Sequence, residues 1–275
     1  MNIFFDNNSP QAIDLANKFS YLSSANFPFF VVVGGDGFML EILRKNYEKT
    51  IPFFGINAGH YGFLLNEPEL ITNILENYKE QITIHRLPIL DITMETIEGD
   101  TIQTVAFNDA YFERARGLPV KIKVTFNGSE KWIEATHGST ANIKIVINGK
   151  TKIEKIVSDG VLVATPSGST AYARAMGAPI IPLDSNTLVL VGSNVAFPPN
   201  FKTVYLDDDT TIEFTNDNPL VRPLYGAIDG IQIPGIKKMT IKKKLDIDFQ
   251  LALLKKRDLA EKLSEFQFPV APIKF

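Results

Sequence analysis

Residues 29–38 read Phe29-Phe30-Val31-Val32-Val33-Gly34-Gly35-Asp36-Gly37-Phe38. The β-branched and aromatic run predicts a strand buried on both faces, the pattern of a parallel sheet. It stops at three glycines set around one aspartate, and Phe38 to Arg44 then reads as a helix. Such a loop lies at the carboxyl end of a parallel strand, where α/β proteins bind ligands. Glycines let the backbone approach a phosphate, and a helix start offers unpaired N–H groups. Asp36 would repel a phosphate unless it serves the chemistry. It could take a proton from a hydroxyl, or touch a magnesium ion beside the phosphates. The other reading of the same residues is a tight turn with Asp36 as a helix cap.

Outward from this loop the first ~85 residues alternate strand and helix signals. Ile3 to Phe5 reads as a short strand, and Ser9-Pro10 as an N-cap followed by Pro at the first helical position. Ile13, Leu15, Ala16 and Phe19 supply an apolar helix face. Pro52 to Ile56 is a further strand, closed by Asn57-Ala58-Gly59, and Ile71 to Tyr78 a further helix. The β-α-β-α-β order predicts a parallel sheet with ligand sites at the carboxyl ends of its strands.

Beyond Leu87 the texture is that of strands punctuated by turns: Glu98-Gly99-Asp100, Asn127-Gly128 and Asn148-Gly149. Strands are expected at Thr187–Val191, Thr203–Leu206, Thr211–Phe214 and Met239–Ile241. The expectation is an α/β plus β protein. Residues 1–87 with 253–275 are expected to form the α/β domain, and residues 88–252 a mainly β sandwich. A helix from Leu253 to Phe266 returns to the first domain. Ile122 to Gly128 is similar to Ile143 to Gly149, which reads as an added hairpin, with Trp132 as its packing residue.

Two further segments carry possible chemistry. Asp159 to Ala164 is a strand that runs into Thr165-Pro166-Ser167-Gly168-Ser169-Thr170-Ala171-Tyr172 and a helix. Its hydroxyls and Gly168 suit ligand contact, and Tyr172 could stack on a base. The plainer reading makes Ser169 or Thr170 an N-cap and Tyr172 core filler. Asn108-Asp109 suits paired hydroxyls or a base edge; the plainer reading is a turn. Asp207-Asp208-Asp209 reads as a solvated turn, Lys242-Lys243-Lys244 as an exposed strand end, and Arg114 and Arg116 as surface residues.

Composition narrows the function. The 275 residues include 45% apolar and 21% charged residues with a net charge of −3, so nucleic acid is not favoured. There is no cysteine, which removes thiol nucleophiles and Cys-ligated metals and suits a reducing cytoplasm. The three histidines, His60, His85 and His137, are too scattered for a zinc site. No apolar run reaches the ~18 residues of a membrane span.

Taken in order, the segments resemble the NAD kinase family over roughly residues 30 to 265. Gly34-Gly35-Asp36-Gly37 matches its signature loop, and Asn57-Ala58-Gly59-His60-Tyr61-Gly62-Phe63-Leu64 its second loop. Asn108-Asp109 is similar to its Asn-Glu pair, and Asp229-Gly230 to its late Asp-Gly turn. The Thr165 to Tyr172 run, with Asp159-Gly160 before it, is the most specific match. The glycine loop alone is shared with diacylglycerol-type lipid kinases and phosphofructokinases.

The resemblance implies transfer of phosphate from ATP, with Mg²⁺ arriving on the nucleotide, to the adenosine ribose 2′-hydroxyl of NAD. It implies a Rossmann-like N-terminal domain, a β-sandwich C-terminal domain, and a homodimer or homotetramer. By this carry-over Asp36 accepts the hydroxyl proton and Gly37 lies against the nucleotide. Asn108 and Asp109 hold the adenosine. Asp159, Ser167, Thr170, Ala171 and Tyr172 complete the pocket, partly across a subunit interface. Three departures stand out: Asp109 for the usual Glu, Phe38 for a common Thr, and Ser167 for a common Thr. The alternatives are a lipid kinase sharing the loop, or a dinucleotide-binding protein without turnover.

Overall fold

The computed structural model describes residues 3–23, 27–115, 119–136 and 138–256. These fall into two compact units that divide at Leu87/Pro88 and again at Ile247/Asp248.

The first unit opens with β1 (Ile3–Phe5), α1 (Pro10–Lys18), β2 (Phe30–Gly34), α2 (Asp36–Asn46), β3 (Phe53–Asn57) and α3 (Ile74–Gln81). Ser9 caps α1, its Oγ accepting the Ala12 N–H at 3.2 Å with Pro10 in the first turn. β1, β2 and β3 pair in parallel, and the end of the strand Ile236–Leu254 joins β3, also in parallel, at Leu251↔Phe53. The core holds Phe27, Phe29, Val31, Val33, Phe54, Ile56 and Ile74. Phe27 meets Phe29, Phe54 and Tyr78 edge-on, the arrangement favoured by the ring quadrupoles. Ile13 lies 36% exposed, and Ala12 takes the buried place on α1 instead. α3 begins at Ile74 rather than Ile71, because Asn73 adopts a left-handed φ of 49° and stops any helix from entering earlier.

β4 (Ile82–Thr96) leads into the second unit. There follow β5 (Thr101–Ala106), β6 (Asp109–Arg114), β7 (Pro119–Phe126), β8 (Ser129–Thr136), β9 (Ala141–Ile147), β10 (Lys150–Ser158) and β11 (Gly160–Ala164). After the four-residue helix α4 (Tyr172–Ala175) come β12 (Thr187–Ser193), β13 (Val204–Asp207), β14 (Ile212–Thr215), β15 (Leu224–Ile228), β16 (Ile231–Pro234) and β17 (Ile236–Leu254).

One sheet runs β13-β12-β11-β6-β15-β16, antiparallel throughout. Another carries β10-β9-β14-β17, with β4 paired to β17 and β5. Their facing sides share one core: Leu90, Ile92, Ile143, Ile145, Phe214 and Ile241 pack with Phe112, Val161, Val163, Leu188 and Leu190. This is a sandwich. Leu162, Ala164, Val189 and Val191, which alternate with the inward set, pack on the opposite face with Ala173, Ala178 and Ile181. The sheet is therefore covered on both sides, which is why Val161 to Ala164 reads as an unbroken apolar run.

The two similar sequence segments are both hairpins. Their turns carry left-handed pairs, Asn127 (φ 50°) with Gly128 (φ 76°) and Asn148 (φ 49°) with Gly149 (φ 72°). β9–β10 belongs to the sandwich, whereas β7 and β8, among the described residues, pair only with each other.

Several expectations need correction. Trp132 does not pack in its hairpin but lies 65% exposed. Its partner across the strands is Lys123, on the charged side of the ribbon with Lys121 and Glu134. Lys242 to Lys244 do not end a strand; they lie inside the 19-residue β17, where Lys242 and Lys244 meet Asp91 and Lys243 meets Asp208. Leu253 and Leu254 are strand, not the start of a helix, because they continue the pleat of Phe249 and Leu251 into the apolar first unit. The remainder of the expected C-terminal helix, with Arg116 and His137, lies outside the described residues.

Candidate active site

In the first unit, β2 ends at Gly34, where an added Cβ would come within 2.8 Å of the Phe38 ring. Gly35 is the N-cap of α2 and Asp36 its first residue. Asp36 is not a helix cap: its Oδ2 accepts the Phe63 N–H at 2.8 Å and its Oδ1 the Leu64 N–H at 2.9 Å. The glycine loop thus holds the second loop by two charge-assisted bonds. Gly37 is exposed, with open space where a Cβ would stand.

The second loop is fastened elsewhere as well. The Ala58 N–H reaches the Gly34 carbonyl, and the Gly59 N–H the Asn57 Oδ1. Asn66, fully buried, donates to the Gly55 and Ala252 carbonyls and accepts the Leu254 N–H. His60 is exposed in this loop.

In the second unit, Asn108 and Asp109 sit where β5 passes into β6. Both are buried, at 6% and 3% exposure. β11 ends beside them, with Ala164 paired to Asp109. The next residues turn over the same segment. Thr165 donates from Oγ1 to the Phe107 carbonyl at 2.7 Å and to the Asn108 carbonyl at 3.1 Å. The Thr165 N–H also reaches the Asn108 carbonyl, and Ser167 Oγ the Phe107 carbonyl at 3.0 Å. Gly168 crosses so close to Asn108 that an added Cβ would fall 1.9 Å from its carbonyl oxygen. No other residue type fits that crossing.

The remaining hydroxyls are tied locally. Ser169 donates to the Pro166 carbonyl and accepts the Ile181 N–H, and Thr170 donates to the Ser167 carbonyl. Neither caps α4, whose N-cap is Ala171 with no side-chain bond. Tyr172 stands edge-on to Tyr111 at 5.2 Å, and its hydroxyl donates to Glu113 at 3.2 Å. Burial first, and the Glu113 carboxylate second, push its phenol pKa upward, so it stays a donor. Gln232 donates to the other Glu113 oxygen at 3.0 Å.

Two polar groups here are unusual. Asn108 Oδ1 is buried with no hydrogen-bond partner among the described residues, a condition that costs free energy unless a ligand supplies the donor. Asp109 has its pKa raised to about 7, first by burial and then by the nearby Asp229 carboxylate. Near neutral pH it can therefore offer either a proton or a lone pair.

Asp159 is not brought beside them. Gly160 pairs with Glu113, so Asp159 lies past the opposite end of β11, roughly 15 Å along the strand from Asp109. It is held by Arg114 at 2.8 Å and Asn194 at 2.8 Å.

Residues 6–82 match the model of the ATP-NAD kinase N-terminal domain, and residues 130–232 that of the ATP-NAD kinase C-terminal domain. The NAD kinase of Rickettsia bellii is 30% identical over 255 residues, 93% of this chain and 91% of its own. The chain belongs to the NAD kinase family. The NAD kinase of Xanthomonas oryzae pv. oryzae is 29% identical over 239 residues, 86% of this chain and 84% of its own. Among solved structures, yeast NADH kinase complexed with NADH superposes with a TM-score of 0.70 at 18% identity, over 90% of this chain and 68% of that one. An NAD kinase from Archaeoglobus fulgidus in complex with ATP gives 0.62 at 20% identity, over 90% of each chain. At such identities these two matches speak for the NAD kinase fold.

Three groups of this NAD kinase family member are not legible from its sequence. Thr165 is one residue of a motif with no task of its own, Glu113 carries no signal, and Asp229 is only half of a turn. The Asp-Gly pair at 229–230 was the one available hint, because its left-handed corner aims the aspartate back at the chain.

Proposed function

We propose that the chain phosphorylates NAD with MgATP at the adenosine ribose 2′-hydroxyl, giving NADP. Family membership supports the reaction class. The observation that carries the choice of binding residues is the buried, unpartnered Asn108 Oδ1 next to a buried carboxyl with a pKa of about 7. Such a pair suits a ligand rich in hydroxyl and amine donors, which adenosine is.

In this reading Asn108 and Asp109 hold the adenosine, and Tyr172 packs on it with its hydroxyl steadied by Glu113. Gly168 and the Ser167 and Thr165 hydroxyls keep the Asn108 backbone in place, while Thr170 and Ala171 line the turn. Asp36 orients the 2′-hydroxyl and accepts its proton, a role worth roughly 10²–10⁴ in rate. Gly37, without a side chain, leaves room for phosphate. Mg²⁺ comes bound to ATP as substrate, since it favours phosphate oxygens and water over protein cages. Phosphoryl transfer asks mainly for positioning and charge neutralisation, which this set of groups supplies.

Asp159, at the far end of β11, is assigned to the pocket of a second subunit in a homodimer or homotetramer. Light scattering of the purified protein checks that part. The zero-cysteine composition suits the cytoplasm proposed for it.

The deciding experiment is NADP production from NAD and MgATP by purified protein, with Asp36→Asn beside it. Product from the wild type and a sharp fall in the variant support the reading. Tight NAD binding without product favours a protein that binds dinucleotide only; turnover confined to vesicle-borne lipid favours a lipid kinase.

A further inference from the structure

Asp229 sits at the left-handed corner between β15 and β16, with φ 46°, and Gly230 follows at φ 82°. Its carboxylate is turned toward the chain between β5 and β6. The Phe107 N–H lies 3.1 Å from each of its oxygens, and Oδ1 accepts the Asn108 N–H at 2.8 Å and the Asp109 N–H at 3.2 Å. The bonding is reciprocal, because the Asp229 N–H donates to the Asp109 carbonyl at 3.0 Å. Three successive backbone N–H groups converging on one point form an anion-binding nest, and here a side chain of the same protein fills it.

The carbonyls of that segment are held from the other side. Thr165 and Ser167 take those of Phe107 and Asn108. Residues 107–109 are therefore gripped by N–H groups on Asp229 and by carbonyls on the Thr165 turn. The side chains of Asn108 and Asp109 are what this grip leaves to be presented.

An uncharged residue would stabilise a turn at lower cost. A carboxylate at 229 faces the buried Asp109, and like charges at such a place oppose each other. Only a carboxylate has acceptors on both oxygens; an asparagine would turn an NH₂ group against one of the donors.

We propose that Asp229 is a positioning residue of the dinucleotide site: it fixes the backbone of residues 107–109 so that Asn108 and Asp109 meet the adenosine, without touching the reacting atoms. The inference rests on the assignment of Asn108 and Asp109 to adenosine made above.

The test compares wild type with Asp229→Asn, and with Asp229→Ser as a second variant, in steady-state kinetics and amide hydrogen exchange. Expected for Asp229→Asn are a KM for NAD raised at least tenfold, a KM for MgATP within twofold, and a kcat within threefold. Amide protection at Phe107 to Asp109 should fall. The KM effect should be less than additive with that of Asn108→Ala, because both changes remove the same contact. Ile145→Val, in the sandwich core, serves as the control for destabilisation alone and should leave both KM values in place. Lost amide protection with an unchanged KM for NAD overturns the inference and leaves Asp229 a structural residue. A fall in kcat that dominates over KM also overturns it, since Asp229 would then act on the reaction itself. If neither variant folds, its task is to hold the sandwich and the proposal fails. Absence of NADP from the wild type, by contrast, strikes the proposed function, while the exchange result still reports whether Asp229 grips residues 107–109.

Discussion

Asp36 at the head of α2 and Asp229 at the β15–β16 corner both use a carboxylate to gather backbone N–H groups. Asp36 accepts those of Phe63 and Leu64. Asp229 takes three, from Phe107, Asn108 and Asp109. The settings differ. Asp36 belongs to a parallel α/β unit, follows glycines, and has open space around Gly37. Asp229 belongs to an antiparallel sandwich and faces a second, buried acid whose pKa it helps to raise. The first arrangement keeps one carboxylate near room for a ligand. The second uses one carboxylate to set the backbone beneath another. An aspartate in a glycine-containing turn therefore carries no fixed meaning until its acceptor oxygens have been traced to their donors.

The comparison can be broken most forcefully at Asp36. In Asp36→Asn, kcat should drop by about 10²–10⁴ if the carboxylate accepts the substrate proton. The variant also loses one acceptor for the Phe63 and Leu64 amides, which should cost about 1–3 kcal/mol of stability. Thermal unfolding separates the two effects. Near wild-type turnover would reduce Asp36 to the loop-holding role it visibly has.

Glycine replacements sharpen the contrast. Gly168→Ala forces a methyl into the Asn108 carbonyl and should destabilise by about 1–3 kcal/mol or more, with a raised KM for NAD. Gly37→Ala meets nothing within 4 Å and should leave Tm nearly unchanged. A loss of activity in Gly37→Ala at unchanged Tm would mark that open space as substrate room.

The Asp109 carboxyl offers a pH test. Its pKa rises from an ordinary 3.8 to about 7 in the folded protein, so the folded state holds this proton more tightly than the unfolded chain. The associated stability is fully present below about pH 3.8 and is lost as pH rises through about 7. Asp109→Asn cannot titrate. Its Tm relative to wild type should therefore improve between pH 5 and pH 8. A constant difference across that range would mean that Asp109 does not titrate there.

The smallest effects belong to groups away from both aspartates. Tyr172→Phe removes one hydrogen bond to Glu113 and should cost about 0.5–1.5 kcal/mol. Trp132→Ala, on the exposed face of the β7–β8 hairpin, should stay within about 0.5 kcal/mol by chemical denaturation. A larger loss there would show that the hairpin is covered in solution.

Much of this was legible in the chain. The apolar run Val31 to Val33 ending at Gly34, the Ser9-Pro10 cap and the Asn-Gly turns at 127 and 148 each follow from local rules, and the structure contains all of them. Local rules failed where a distant surface decided the outcome. Leu253 and Leu254 have the composition of a helix, yet they extend β17 because an apolar sheet edge beside β3 accepts them. Trp132 has the composition of a core residue, yet it lies 65% exposed on a ribbon whose two strands, among the described residues, pair only with each other.

The same division runs through the site. Residue order by itself determined where glycine, hydroxyl and carboxyl groups would cluster, because backbone freedom and turn chemistry are properties of a few adjacent residues. It did not determine which of those groups would be consumed inside the protein. That required Asp229 to arrive 120 residues after Asp109, and Thr165 to arrive 57 after Asn108. Hydrogen bonds act only within about 3 Å, so the tertiary fold alone decided that Ser167 and Asp229 bond to the backbone of residues 107–109 while Asn108 Oδ1 is left without a partner among the described residues.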